Sequence, residues 1–114
     1  MLKIFEEQEL FEMANIPKAQ SGLGSTIWID SYGKKRSVGH NKPRIKVGEN
    51  PNALIPVSIS KDPEILVDGK TIKNKRKIFK FISDNYETLM KHWNGELSDF
   101  EALTELYKYI KDNN

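Results

Sequence analysis

Arg44-Ile45-Lys46-Val47-Gly48-Glu49-Asn50-Pro51-Asn52-Ala53-Leu54-Ile55-Pro56-Val57-Ser58-Ile59 decides the fold. Its first four residues alternate charged and β-branched side chains, the pattern of a strand with one wet face and one buried face. Asn50-Pro51-Asn52 is a turn. Ala53 to Ile59 reads as a second strand. Pro56 has no N–H for a ladder, which confines that strand to a sheet edge or a bulge.

Upstream, Thr26-Ile27-Trp28-Ile29-Asp30 is β-branched and aromatic, hence a strand, and Ser31-Tyr32-Gly33 turns it. Downstream, Glu64-Ile65-Leu66-Val67 runs as a further strand into Asp68-Gly69, a hairpin turn pair. The middle of the chain is therefore three or four short strands in an antiparallel meander. The last third is helical. Ile78, Ile82, Tyr86 (or Asn85), Leu89 and Trp93 recur in steps of three and four, with Phe79, Phe81 and Met90 widening the stripe. Asn94-Gly95 closes that helix. Ser98-Asp99-Phe100-Glu101 is a capping box opening another, which buries Leu103, Leu106 or Tyr107, and Ile110. At the other end, residues 4–14 form a short helix with Ile4, Leu10, Phe11 and Ala14 on one face and four glutamates on the other. Pro17 and Ser21-Gly22-Leu23-Gly24-Ser25 follow as a flexible connector, since these glycines neither follow a strand nor open a helix carrying a phosphate-binding lysine. The fold expected over residues 1–114 is a single α+β domain: a small twisted antiparallel sheet of three or four strands, two C-terminal helices and a short N-terminal helix.

Bulk composition narrows the function classes. With 114 residues, 38% hydrophobic and 30% charged, the chain is long enough for one modest core and too apolar for a disordered tail. No apolar run approaches the roughly 20 residues of a membrane span. Met1-Leu2-Lys3-Ile4-Phe5 runs directly into glutamates, unlike a secretory signal, so the expected location is cytoplasmic and no membrane partner is expected. Cysteine is absent, which excludes disulfides, thiolate metal sites and cysteine nucleophiles. The two histidines, His40 and His92, show no metal-ligand spacing, and His92 reads as a surface or boundary residue. No cofactor, metal site or catalytic residue is expected.

Charge is distributed unevenly. Residues 34–80 hold 13 Lys/Arg against four Asp/Glu, a balance of +9, whereas residues 1–33 stand at −3 and residues 81–114 at −4. Lys34, Lys35 and Arg36 sit on a loop; Lys42, Arg44 and Lys46 fall on every second residue, hence on one strand face. Lys73, Lys75, Arg76, Lys77 and Lys80 crowd the start of a helix, where they oppose its dipole at about a few tenths of a kcal/mol each. Converging cations of this kind suit a phosphate backbone or an acidic protein surface. Solvated charges that balance the acidic ends are the plainer alternative. Among the aromatics, Trp28, Phe79, Phe81 and Trp93 all have core explanations, leaving Tyr32 as the stacking candidate.

Ile27-Trp28-Ile29, His40-Asn41-Lys42-Pro43-Arg44-Ile45-Lys46-Val47, Val57-Ser58-Ile59, and Asn85 and Trp93 on the following helix together resemble the domain-of-unknown-function family 4160. The likeness covers about residues 26–97. That family shows a His-Asn/Asp-x-Pro-His-Phe-His-Val type motif between an aromatic strand and a strand ending in Ile-Ser-Ile. The resemblance implies a compact α+β unit of bacterial and mobile-element genomes, sometimes beside toxin–antitoxin-like genes, without a settled activity. The histidines that follow the family's proline correspond here to Arg44 and Lys46, so only His40, Asn41 and Pro43 carry over. The exchange replaces titratable imidazoles by fixed charges and favours a polyanion ligand.

The functional expectation is a non-enzymatic binding protein, in a toxin–antitoxin, defence or phage setting. Its basic face would engage nucleic acid or an acidic partner through Tyr32, Lys34, Lys35, Arg36, His40, Lys42, Arg44, Lys46, Lys75 and Arg76. One alternative is an inhibitor or adaptor that binds a protein through its acidic terminal helices. Another is a metal-dependent nuclease, for which Asp68-Gly69-Lys70 supplies the acid-x-lysine pattern and Asp62, or the more distant Asp30, the second carboxylate.

Overall fold

The computed structural model describes residues 14–29 and 42–113. Four short strands, β1 (Ala14–Ile16), β2 (Ile27–Ile29), β3 (Arg44–Val47) and β4 (Ile55–Ser58), form one antiparallel sheet in the order β1-β2-β3-β4. The four-residue helix α1 (Lys18–Ser21) lies between β1 and β2; α2 (Lys75–Asp84), α3 (Tyr86–Trp93) and α4 (Asp99–Asp112) follow the sheet. This is the small α+β fold expected from the alternating and helical periodicities. Among the described residues no helix is long and apolar enough to cross a membrane.

Alternation assigns each side chain to a face. Ile16, Ile27 and Val47 are in register across the sheet, as are Ile29, Ile45 and Val57. All six are buried. They share one core with Ile78, Phe81, Ile82, Leu89, Trp93, Ala102, Leu106 and Ile110, so α2, α3 and α4 cover this face. Each large aliphatic or aromatic side chain among them contributes about 2 kcal/mol by leaving water. Pro56 lies on the outer strand, as its missing donor requires: its carbonyl accepts from the Leu66 N–H at 2.9 Å, so its backbone polar groups point away from β3.

Several expectations are corrected. Of the helix expected over residues 4–14, all but Ala14 lies outside the described residues, and Ala14 opens β1 instead of closing a helix. Residues 64–67 do not make a full strand; they give a single bridge, Val57 to Ile65. Pro56 cannot extend that ladder and Pro63 precedes it, so pairing stops there. The helix expected to run through residue 93 divides at Asn85. The Asn85 side-chain amide donates to the Phe81 carbonyl at 2.8 Å, and its φ of −112° leaves the helical range. Competition of this kind by a buried Asn interrupts the helical run. The capping box is present as expected: the Glu101 N–H donates to Ser98 Oγ at 3.1 Å, and the Ser98 N–H to Glu101 Oε1 at 2.9 Å.

The 17–26 segment is packed, not a loose connector. Ser21 Oγ–H donates to the Ser25 carbonyl at 2.8 Å and accepts from the Leu23 N–H at 3.0 Å. Both serines and Leu23 are buried. Asn74, in the left-handed region at φ 54°, immediately precedes α2 without capping it through its side chain, and sends that side-chain amide to the Leu23 carbonyl at 2.9 Å. Gly24, at φ 78°, makes room: a Cβ there would lie 2.4 Å from Asn74 Nδ2. Gly24→Ala is expected to expel that amide and strain the backbone, at about 2–3 kcal/mol. Urea unfolding checks this, and a loss below about 0.5 kcal/mol would show that the contact does not hold α2 to the loop.

Asp84 ties α2 to α4. Lys80 Nζ donates to its Oδ2 at 2.6 Å, and the Tyr109 hydroxyl donates to the same oxygen. The Lys80 bond first, then that of Tyr109, holds the Asp84 carboxyl below its ordinary value. Folding thus gains from the ionised carboxylate above the ordinary aspartate range near pH 4, and the gain disappears as pH falls through the depressed value. Asp84→Asn should therefore be less stable than the parent near neutrality, and the gap should narrow as pH drops from about 6 to about 3. Parallel melting curves test the sign; a gap that widens in acid contradicts it.

Candidate nucleic-acid interface

The face of the sheet turned away from the helices carries the other half of the alternation. Asn15, Trp28, Lys46 and Pro56 form one row across the four strands by register. Arg44 is two residues from Lys46 on β3, about 7 Å along the strand, and points to the same face. All five are partly exposed. Neighbouring strands lie about 4.8 Å apart, so Lys46 flanks Trp28 directly.

Trp28 is the correction that matters most. It belongs to this row and not to the helix-covered core, whereas Phe81 and Trp93 are buried in that core and Phe79 is packed against it. Its indole Nε1–H donates to the Gly48 carbonyl at 2.7 Å, which leans the ring from β2 toward the end of β3. That bond fixes the ring's orientation and satisfies its only donor.

The cations of the face are largely uncommitted. Arg44 Nε–H donates to the Lys42 carbonyl at 3.1 Å, and neither Arg44 nor Lys46 forms an ion pair among the described residues. Lys42 differs: its Nζ lies 3.2 Å from Glu64 Oε2, both side chains being more than half exposed. Glu49, two residues beyond the end of β3, accepts from the Thr26 N–H and hydroxyl at 2.9 Å each.

Lys75 and Arg76 are exposed on the first turn of α2, which belongs to the layer on the other face of the sheet. They are separate from Arg44 and Lys46 in the layering of the fold. Lys75 Nζ stands 5.7 Å from the centre of the Phe79 ring, and the first turn contains no acid. Tyr32, Lys34, Lys35, Arg36 and His40 lie outside the described residues, as does Asp30. Asp62, Asp68 and Lys70 are exposed. Among the described residues no three His, Asp or Glu side chains are placed to hold a metal ion together.

His92 departs from its expected surface position. It is 2% exposed, and its Nε2–H donates to Asp99 Oδ1 at 2.6 Å, linking the last turn of α3 to the first of α4. A shallow cleft of about 200 Å³ between α1, α2 and α4 has Lys77 and Lys80 at its rim, but Lys80 is neutralised by Asp84.

Compared with known proteins, the chain matches no family model, no curated protein and no solved structure.

Proposed function

We propose that the protein is a non-enzymatic nucleic-acid-binding protein and that the sheet face turned away from the helices, around Arg44 and Lys46, is its contact surface. One observation carries this reading: two fixed cations stand side by side on one strand, beside a half-buried tryptophan, without a carboxylate partner among the described residues. Surface charges that exist only for solubility have no reason to gather around an aromatic ring. A phosphate chain supplies both the counter-charge and the apolar bases that such a face accepts. The resemblance described above would place such a protein in a toxin–antitoxin, defence or phage setting. Fluorescence anisotropy with labelled DNA and RNA, repeated over a range of salt concentrations, tests the reading. It expects the logarithm of the binding constant to fall linearly with the logarithm of salt. No binding to any nucleic acid at low salt would end it.

A second reading, protein binding through the acidic last helix, is favoured by one observation. Phe100 is 80% exposed on the first turn of α4, between Asp99 and Glu101. An exposed aromatic on a helix with more acidic than basic residues is a usable anchor for a basic partner.

A further inference from the structure

We infer that the nucleic acid taken by this face is single-stranded, with a base laid on Trp28 and the adjoining phosphates on Lys46 and Arg44. This rests on the function proposed above and narrows its ligand. Trp28 has spent its N–H on Gly48, so what it offers a ligand is a π-surface and no hydrogen bond. A π-surface binds the flat face of a base. In a duplex that face is covered by the base pairs above and below, and only an unstacked strand can present it.

The rest of the row suits the same ligand. Asn15 and Lys46 flank Trp28, and Pro56 continues the row with an apolar ring on the β4 side. Sequence-specific reading of a duplex calls for a helix or ribbon that enters the major groove. Among the described residues, the side of this sheet turned away from the helices consists of strands of three and four residues whose side chains are partly exposed, and it projects no such element. Lys46 and Arg44, about 7 Å apart along β3, are spaced for successive phosphates of an extended strand. Arg44 uses its Nε on the Lys42 carbonyl and keeps both terminal guanidinium nitrogens for an anion. The two carboxylates that border the face, Glu49 and Glu64, are held by Thr26 and by Lys42.

The protein's own fluorescence provides the test. Trp28 and Trp93 are its two tryptophans, and Trp93 is only 5% exposed in the core. An oligothymidylate or oligouridylate of about ten nucleotides should quench the emission of Trp28 on binding, and a duplex of the same length should bind at least about tenfold more weakly at equal salt. Trp28→Ala should lower single-strand affinity roughly 5- to 150-fold, the range expected for losing one stacked base. Trp28→Phe keeps a stacking ring and should lose less, which protects the test if the alanine variant folds poorly by circular dichroism. Duplex binding as tight as single-strand binding, or single-strand affinity unchanged in both variants, overturns the inference while leaving nucleic-acid binding intact. Loss of all binding, duplex included, in the unmodified protein removes the parent reading as well.

Discussion

Reversing Arg44 and Lys46 together to glutamate is expected to lower nucleic-acid affinity at least about 100-fold while leaving the fold intact. The affinity term is electrostatic. Each phosphate contact releases counterions, so neutralising both residues to alanine should reduce the slope of log affinity against log salt by about 1.4 for a single strand, at about 0.7 per contact. Reversal goes further, because two repulsive charges then face the phosphates. The fold should tolerate the change. Both side chains are partly exposed on the face turned away from the helices, neither has an acidic partner among the described residues, and surface substitutions of this kind stay within about 0.5 kcal/mol. The informative control is Lys75→Glu with Arg76→Glu. These residues sit at the start of α2, in the layer on the opposite face of the sheet. At physiological salt, charges acting from beyond a Debye length of about 8 Å are largely screened. The control pair should therefore cost only a few-fold. Equal losses from both pairs would show that the strand face has no special role, and an unchanged salt slope after neutralising Arg44 and Lys46 would show that they touch no phosphate.

The basis of this surface was partly legible in the sequence. Arg44-Ile45-Lys46-Val47 gives away both its strand and its two faces, because a period of two cannot be read another way. Pro56 marked the sheet edge through its missing donor, and Ser98 with Glu101 marked a helix start. Trp28 departs from its expected place in the core because an aromatic side chain can also lie half-buried on a partly exposed sheet face. The signal was nevertheless present: Ile27 and Ile29 claim one face of a strand, and period two sends Trp28 to the other. β1 is only three residues long and gives too little pattern to detect, and its fully buried Ile16 is recognisable only once β2 stands beside it. The break at Asn85 depends on where one side-chain amide donates, which periodicity does not encode. The separation of Lys75 and Arg76 from Arg44 and Lys46 follows from which face of the sheet the helices cover, a three-dimensional choice that the linear charge count conceals.

His92 was hidden by its polarity. Asn85, Leu89 and His92 follow steps of four and three on the stripe that reaches Trp93, so spacing alone would have buried it. Its burial leads to the largest expected effect on stability. His92→Ala should cost about 3–4 kcal/mol, since it removes a fully enclosed ring and the bond that joins α3 to α4. For a domain of this size that is a fall in melting temperature of roughly 10–20 °C. Asp99→Ala approaches the same contact from the exposed side. Its carboxylate is 33% exposed and can be hydrated when alone, but the buried imidazole N–H it leaves behind cannot, at about 1–3 kcal/mol. Asp99→Asn retains a carbonyl oxygen for that N–H and should cost less than Asp99→Ala. The double variant His92→Ala, Asp99→Ala separates bond from packing. If the 2.6 Å bond couples the helices, the two single losses should exceed the double loss by about 1 kcal/mol or more. Strict additivity would mean that His92 acts through its volume alone and that whatever Asp99 contributes does not pass through the imidazole, such as its favourable negative charge on the first turn of α4.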